Sequence, residues 1–360
     1  MPTTLSDVAQ AVGVSVSTVS RTLSGDRTRP VAPKTQERIW ETVHALNYLP
    51  RESGQRRVRE VQEQMRHTHA VGLVLGNVSY KFSDPFWSPV LDGIDGELIR
   101  RQYRLLFALT VEDLKHAQQR RLLSRSQIDG LILVGGLRPF GHTIGVERTV
   151  VIEGGDDRLR WEDPLRVDVI GMEKRRAIYR LVGHLASLGR SRIGFIGPSP
   201  SRDERAFSFP HALAEHGMAG DPAWVIESSW AAEDAYAASL AFFQENRQAI
   251  DALVCGCDTI AIGVMRAAKE CGLKLPDDLA ITGFDDIAFA GDLEPSLTTV
   301  RVPKELMGQL AVRRLLDRIA DPEQPPIVQT VPTSLIVRAS CGALGASSAG
   351  EGLTGGAMKG

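Results

Sequence analysis

Residues 5–24 constrain the fold of this 360-residue chain most strongly, because they contain two short apolar stripes separated by a glycine. In each half the apolar side chains recur at intervals of three and four residues, which places them on one face of a helix. These side chains are Leu5, Val8 and Val12 before the glycine and Val16, Val19 and Leu23 after it. Gly13 stands where a turn between steeply crossed helices commonly needs a positive φ. The segment therefore predicts a helix-turn-helix.

Polar residues mark the start of each of these helices. Thr4 and Asp7 have the spacing of a capping box, and the hydroxyl of Ser15 can accept hydrogen bonds from the first amides of the second helix. A third helix is expected from about residue 33 to 46, and its inner stripe comprises Ile39, Val43 and Leu46. The alternative is a plain helical hairpin. The third helix, and the short, polar and basic exposed side of the second, favour a three-helix domain over residues 1–49.

Two runs in this region resemble the LacI/GalR family of bacterial transcription regulators. They are TLSDVAQAVGVSVSTVSRTLSG, from residue 4, and LNYLP, from residue 46. The resemblance implies that three side chains of the second helix meet base edges in the major groove of double-stranded DNA: Val16, Ser17 and Arg21. It implies that five others contact phosphates: Thr4, Ser15, Thr18, Ser20 and Asn47. Arg21 would contribute most to specificity, since a guanidinium can donate two hydrogen bonds to guanine O6 and N7.

Charge is distributed unevenly along the chain, although the formal net charge is only −2. Residues 1–69 contain ten Lys or Arg and seven Asp or Glu, whereas the remainder contains 32 and 37. A basic end on an acidic body would orient the protein on DNA and make binding depend on salt. The sequence shows no signal peptide and no apolar run long enough to span a membrane, so we expect a cytoplasmic, nucleoid-associated protein without a membrane partner.

No motif indicates an enzyme. The phosphate-binding pattern GxxxxGK[ST], a well-placed GxGxxG and the nucleophile pattern GxSxG are all missing from the sequence. The four cysteines lack zinc-finger or thioredoxin spacing, and the eight histidines show no metal-ligand spacing. We therefore expect no catalytic residue, no cofactor and no metal, and we expect reduced, mostly buried thiols.

Residues 50–69 form a charged linker. In the LacI/GalR family a short helix here pairs with its dimer mate and inserts a leucine into the minor groove, but this segment has no leucine. Val58, Val61 and Met65 fall on one helical face. One hypothesis is a longer hinge helix, in which Val58 and Val61 face the partner or act as a wedge in the minor groove. The other is a flexible basic tether.

Residues 70–340 alternate strand-like apolar runs with helical stretches, which is typical of an α/β fold with parallel sheets. The strand candidates are 70–76, 104–109, 129–134, 149–153, 192–197, 251–256 and 279–284. The family resemblance implies a periplasmic-binding-protein-like core of two doubly wound parallel-sheet subdomains. Subdomain N would comprise residues 70–173 and 301–325, and subdomain C residues 174–300 and 326–340. Residues 341–360 are rich in Gly, Ala and Ser, so we expect a disordered tail.

A small effector would bind between the subdomains, beyond the carboxyl ends of the strands. By the family resemblance its site comprises Phe86, Trp87, Arg205, Trp230, Cys257, Asp258 and Asp285. Arg205 and Asp285 facing Trp230 would suit a carbohydrate-like ligand, with bidentate bonds to hydroxyl pairs and an aromatic ring under the apolar sugar face. The alternative is a structural Arg–Asp salt bridge and tryptophans that fill a core. Cys257 stands where relatives commonly have asparagine, so the sequence does not predict which ligand binds.

These features together predict a transcription regulator, most simply a repressor, that binds a near-palindromic operator as a homodimer. No leucine heptads follow the core, so a tetramer is not expected. An effector that binds one closure state of the core better than the other would change operator affinity. Both relief of repression by a sugar-like inducer and co-repression are consistent with the sequence. The same core fold also occurs in solute-binding proteins of transport systems, which have no DNA role.

Overall fold

The computed structural model describes residues 4–24, 31–46, 48, 68–76, 84–123, 127–135, 148–153, 167–246 and 249–343. The chain divides into two compact units, Met1–Thr68 and His69–Gly360. Three residues of the expected DNA interface, Asn47, Val58 and Val61, lie outside the described residues, and so does nearly all of the linker. The two linker hypotheses therefore stay predictions.

The amino-terminal unit contains three helices, as the apolar spacing predicts. They are α1 (Leu5–Val12), α2 (Val16–Ser24) and α3 (Pro33–Ala45). The capping box is present, because the amide of Asp7 donates to Thr4 Oγ1 at 3.4 Å and the amide of Thr4 donates to Asp7 Oδ2 at 2.7 Å. Gly13 ends α1 with a φ of 72°, the left-handed conformation that costs other residues about 1–2 kcal/mol. The signals at both ends of α1 are thus confirmed.

A small apolar core lies between these three helices. Its buried side chains are Val8, Ala9, Val12, Val19, Leu23, Ile39, Trp40, Val43 and Tyr48. The prediction that Val16 belongs to the inner stripe is wrong, because 46% of its surface is exposed. Val16 is the first residue of α2, and the buried face of this helix starts only at Val19. Val16 is therefore available at the protein surface.

The larger unit alternates strands and helices, as predicted. Its first part comprises β1 (Ala70–Leu75), α4 (Trp87–Arg100), β2 (Arg104–Thr110), α5 (Ala117–Arg120), β3 (Gly130–Val134), β4 (Thr149–Ile152) and β5 (Asp168–Met172). Its second part comprises α6 (Arg175–Ser187), β6 (Ile193–Gly197), α7 (Glu204–Glu215), β7 (Val225–Glu227), α8 (Ala232–Glu245), β8 (Ala252–Cys255), α9 (Asp258–Glu270) and β9 (Ala280–Thr282). Its last part comprises β10 (Thr299–Arg301), α10 (Lys304–Ala320), β11 (Val328–Val331) and β12 (Ser334–Ile336). Across the described residues, no helix is both long and apolar enough to cross a membrane.

Two parallel sheets form the centres of two subdomains. The strand order is β2-β1-β3-β4-β5-β11 in the first sheet and β7-β6-β8-β9 in the second. All strand pairs within these sheets are parallel. The order changes direction between β1 and β3 and again between β6 and β8, so both sheets are doubly wound. The predicted fold class is confirmed.

The chain crosses between the subdomains three times. The first crossing follows β5 at Glu173, and the second follows β10, after which α10 packs against α4 and against β3, β4 and β5. The predicted third crossing near Pro325 is wrong, since β11 pairs with β5 in the first sheet and places Val328 opposite Val169. The chain crosses only after Val331, and β12 then pairs antiparallel with β10. The first subdomain therefore extends to about residue 331.

The folded part of the chain ends later than the expected boundary at residue 341. Ser340 and Cys341 are fully buried, and the amide of Ser340 donates to the carbonyl oxygen of Ser296 at 2.9 Å. The described residues continue to Ala343, so the predicted disorder of residues 341–360 is wrong at its beginning. Residues 344–360 lie outside the described part of the chain.

Candidate functional site

One side of α2 presents small side chains and a single cation. Val16, Ser17 and Ser20 are exposed, and Arg21 is partly exposed. These four positions share one side of the helix, because residues four apart are neighbours on a helix surface. A narrow helix face with hydroxyls and a guanidinium fits the major groove, where such groups bond to base edges. The three side chains expected to meet bases thus lie on one surface.

The guanidinium of Arg21 lies along α2. Its Nε donates to the carbonyl oxygen of Ser17 at 3.1 Å, and its Nη2 donates to Thr18 Oγ1 at 3.4 Å. The bond to Ser17 lies at an exposed site, where water competes for both partners, so its net contribution to stability is small. A base edge that accepts two hydrogen bonds from the guanidinium can therefore displace them.

Two of the side chains expected to contact phosphates lie at helix starts. Ser15 Oγ accepts from the backbone amide of Thr18 at 3.2 Å and lies 2.8 Å from Thr18 Oγ1, so Ser15 caps α2. Thr4 Oγ1 donates to Asp7 Oδ2 at 2.8 Å at the start of α1. Hydroxyls and amides at helix starts are common phosphate ligands, so this geometry is compatible with the expected role.

Arg205 lies on α7 and is only 2% exposed. Its Nε and Nη2 donate to the two carboxylate oxygens of Asp203, both at 2.9 Å. Burial alone would raise the pKa of Asp203, but the adjacent guanidinium outweighs this effect and lowers the pKa of that carboxyl. Asp203 thus uses two of the five guanidinium N–H groups, which leaves donors on Nη1 and Nη2, so the expected bonding of Arg205 to ligand hydroxyls stays a prediction.

Two aromatic rings cover the guanidinium of Arg205. Its Cζ lies 4.5 Å from the ring centroid of Trp230 and 5.0 Å from that of Phe284, which is cation–π distance. Trp230 remains 37% exposed, so part of its ring is accessible to a ligand. Neither Asp203 nor Phe284 was among the seven residues expected to bind the effector. Asp203 was recognisable as the N-cap of α7, a position that aspartate favours.

Cys257 and Asp258 lie at the start of α9, and both side chains are buried. Cys257 Sγ accepts from the amide of Ile260 at 3.5 Å, and burial raises the pKa of its thiol, which stays protonated at neutral pH. Asp258 accepts from Thr299 Oγ1 at 2.5 Å and from the amide of Ile287 at 2.9 Å. Burial raises the pKa of Asp258 to about 7. Because both of its oxygens are bonded within the protein, Asp258 supports the neighbouring turn and does not line an open pocket.

Asp285 lies in the turn of residues 283–287, where two consecutive residues have a positive φ, 116° at Asp285 and 51° at Asp286. Such residues cost about 1–3 kcal/mol each and persist only where surrounding contacts fix them. Burial raises the pKa of the Asp285 carboxyl, Arg205 opposes this shift, and the charge of Asp84 adds to it. Asp84 precedes α4 of the first subdomain. Two carboxyls, one from each subdomain, are therefore within electrostatic reach of each other.

Phe86 and Trp87 lie at the start of α4. Their amides donate to Asp84 Oδ1 at 2.9 and 3.0 Å, and their rings meet edge to face with centroids 4.7 Å apart. Both side chains are more than nine-tenths buried in the main core of the larger unit. The main role of these two rings is therefore packing. For Trp87 this agrees with the alternative given above, in which the tryptophan fills a core. Asp84, which was not among the seven residues expected to bind the effector, is a further candidate ligand residue.

A separate cavity of about 380 Å³ lies beside the first crossing. It is lined by Met172, Glu173, Lys174, Arg175, Arg176, Tyr179, Glu204, Glu215 and Thr330. None of the residues expected to bind the effector lines it. The group of Arg205, Trp230 and Asp285 combines an aromatic surface with convergent polar atoms, which is more typical of a small-molecule site. Within the described ranges, no cluster of His, Cys, Asp or Glu could hold a metal ion.

Comparisons with known proteins connect both units to bacterial regulators. Residues 4–51 match a family model described as bacterial regulatory proteins, lacI family, and residues 182–341 match one described as a periplasmic binding protein-like domain. The ribose operon repressor of Haemophilus influenzae is 31% identical over 325 residues, which cover 89% of this chain and 93% of that protein. The similarity therefore includes the amino-terminal helices as well as the core.

Two solved structures also share this architecture. The complex of the transcriptional regulator CelR with cellobiose aligns with a TM-score of 0.68 and 25% identity, over 94% of this chain and 99% of that chain. The lac repressor dimer bound to operator and the anti-inducer ONPF aligns with a TM-score of 0.64 and 23% identity, over 95% and 99% of the two chains. At that identity the second comparison shows a common fold alone.

Proposed function

Because this chain belongs to the LacI family of bacterial regulatory proteins, we propose that it is a homodimeric repressor whose α2 reads a near-palindromic operator. The observation that supports this proposal is the single face of α2 that presents Val16, Ser17 and Arg21. Arg21 bonds to a guanine in each half-site, and Val16 can contact a thymine methyl group. Phosphate contacts fix the register of the headpiece, through Thr4, Ser15, Thr18, Ser20 and Asn47.

A two-fold dimer places two headpieces on half-sites about one helical turn apart, which is why the operator is expected to be near-palindromic. The lac repressor in the comparison is a dimer bound to its operator, and membership of the same family supports a dimer here. We place this repressor in the cytoplasm, on nucleoid DNA.

The effector that we propose is an uncharged, carbohydrate-like molecule. The accessible face of Trp230 suits the apolar face of a sugar ring, and the carboxyls of Asp285 and Asp84 suit its hydroxyl groups. Asp203 already neutralises Arg205, so this guanidinium does not favour a phosphorylated sugar. The cellobiose complex of CelR and the name of the ribose operon repressor both support a carbohydrate.

Effector binding relieves repression in this proposal. A sugar that binds one closure state of the core better than the other shifts operator affinity by the difference between its two binding free energies, typically about 1–3 kcal/mol. The reverse sign, co-repression, would appear in the same experiment as tighter operator binding.

The test begins with in vitro selection of an operator from random duplexes. Fluorescence anisotropy then measures operator affinity with a panel of pentoses, hexoses and disaccharides that includes D-ribose and cellobiose. We expect operator affinity to fall about 5–150-fold with one of these sugars, and to fall steeply with added salt. A protein that selects no duplex is not the proposed repressor. Operator binding that no pentose, hexose or disaccharide alters would contradict the proposed effector class but not the DNA-binding role.

A further inference from the structure

Lys304 is a buried lysine where the chain enters the first subdomain for the second time. It is the first residue of α10 and is only 9% exposed. Its Nζ donates hydrogen bonds to the carbonyl oxygens of Asp285 and Asp286, the second at 3.0 Å. Lysine is rarely buried unless its charge is paired, so these bonds need an explanation.

The two carbonyl groups belong to the turn of residues 283–287, whose two positive φ angles require support from outside. The second subdomain supplies part of this support through hydrogen bonds that involve Asp258, Thr299, Val300, Arg301 and Arg338. Lys304 adds a contact of a different origin, because it belongs to a helix that packs in the first subdomain.

α10 is fixed tightly to that first subdomain. A Cβ atom at Gly93 of α4 would lie 2.2 Å from the carbonyl oxygen of Glu305, and one at Gly308 would lie 2.2 Å from that of Val90. The helix continues onto the sheet with buried apolar side chains, namely Met307, Ala311, Val312 and Leu315. The backbone of Lys304 is thus held by one subdomain, whereas its ammonium group is bonded to a turn of the other.

We propose that Lys304 is a positioning residue that ties the Asp285–Asp286 turn to α10, so that this turn follows the first subdomain when the cleft opens or closes. α4, which packs on α10, begins beside Asp84, the carboxyl of the first subdomain that lies near Asp285. The two sides of the effector site are therefore linked through Lys304. An effector bound at Asp285 shifts the first subdomain through this ammonium group. Only this last consequence rests on the proposed function.

The test is hydrogen–deuterium exchange of the full chain without ligand or DNA, read on peptides that cover residues 283–288. Lys304→Met keeps the aliphatic stem and removes the three donors, so the amides of Asp285 and Ile287 should exchange about tenfold faster or more, as expected for the loss of charge-assisted hydrogen bonds. Lys304→Arg restores a donor and should return exchange towards the wild-type rate. If Lys304 only filled space, the exchange rates of the two variants would be reversed: Lys304→Met would exchange at close to the wild-type rate and Lys304→Arg would exchange faster.

The matched control is Lys269→Met, because Lys269 also donates to a backbone carbonyl, that of Glu294 at 2.5 Å, but at an exposed site. This variant should leave residues 283–288 unchanged. Wild-type exchange of this turn in Lys304→Met would overturn the proposal, as would equally fast exchange in the Met and Arg variants. If Lys304→Met does not fold, Lys304→Leu, which also lacks a donor, is compared with Lys304→Arg on the same criterion. Failure of the operator selection would refute the repressor role without affecting this result, since exchange needs neither operator nor sugar.

Discussion

Replacing Ile39 with alanine should unfold the amino-terminal unit in most molecules and weaken operator binding about 100-fold or more. Ile39 lies on α3, has no exposed surface and packs in the small core of this unit. Truncation of a buried isoleucine to alanine costs about 2–5 kcal/mol. At about 0.05–0.15 kcal/mol per residue, a unit of roughly fifty residues has only a few kcal/mol of stability to lose. Most of the variant's headpieces are therefore expected to be unfolded.

Anisotropy on the selected operator and calorimetry of the full chain together measure this effect. We expect operator affinity to fall about 100-fold or more, which corresponds to about 3 kcal/mol, while the unfolding transition of the larger unit stays in place. Glu37→Gln, on the exposed side of the same helix, is the control and should bind like the wild type. Wild-type affinity in Ile39→Ala would mean that the three-helix core does not present α2 to DNA.

A methyl group at Gly93 should destabilise the larger unit by about 1–3 kcal/mol, the usual cost of overpacking a well-packed contact. Its Cβ would lie 2.2 Å from the carbonyl oxygen of Glu305 and 2.9 Å from the Cα of that residue. Because these are backbone atoms, no side-chain rotation can relieve the overlap and α10 must move. The same movement would displace Lys304, so Gly93→Ala should also loosen the turn at Asp285.

Gly96→Ala in the same helix is the matched control. The nearest atom to a Cβ at that position is Arg100 Nη1 at 3.9 Å, so the methyl group meets no obstacle. Alanine is favoured over glycine inside a helix by about 0.5–1 kcal/mol, and this variant should therefore be slightly more stable than the wild type. Urea unfolding of both variants measures the difference. A stability change of the same sign in the two variants would contradict the close contact between α4 and α10.

The amino-terminal unit was predictable because its signals are local. The Thr4–Asp7 cap, the turn at Gly13 and the apolar spacing each depend on residues within one helical turn of each other. Val16 is the exception. Its spacing fits the apolar stripe, but the helical repeat of apolar residues does not show whether the neighbouring helices cover the first residue of α2.

Among the strands, the fully buried central ones were predictable, and so were the edge strands β2 and β9, but the edge strands β7 and β11 and the interrupted strand β5 were not. β1, β3, β6 and β8 are near-continuous apolar runs. β5 begins with Asp168, which is buried because Arg318 donates to its two oxygens at 3.0 and 3.2 Å, and a charged residue interrupts the apolar pattern. β11 adds to the edge of the first sheet with Val328 58% exposed, so its sequence resembles that of a loop. Because β11 was not predicted, the third crossing between the subdomains was expected near Pro325 and not after Val331.

Within the effector site, the family resemblance identified Arg205 and Trp230, and the structure brings these two side chains together. The resemblance could not reveal that Asp203 holds the guanidinium, although the two residues are only two positions apart. The contact of Lys304 with Asp285 was beyond prediction. These residues are nineteen positions apart, and their proximity depends on how the second crossing returns to the first subdomain.

Selection from random duplexes with the full-length wild type, Arg21→Ala and Ser20→Ala tests most directly whether α2 reads DNA. The wild type should enrich a near-palindrome with a guanine at one fixed position of each half-site. Arg21→Ala should lose the guanine preference at that position, a discrimination of about 1–3 kcal/mol. Ser20→Ala, which would remove the proposed phosphate contact, should keep the motif and bind all sequences more weakly. An unchanged motif in Arg21→Ala, or no enrichment by the wild type, would contradict the central claim.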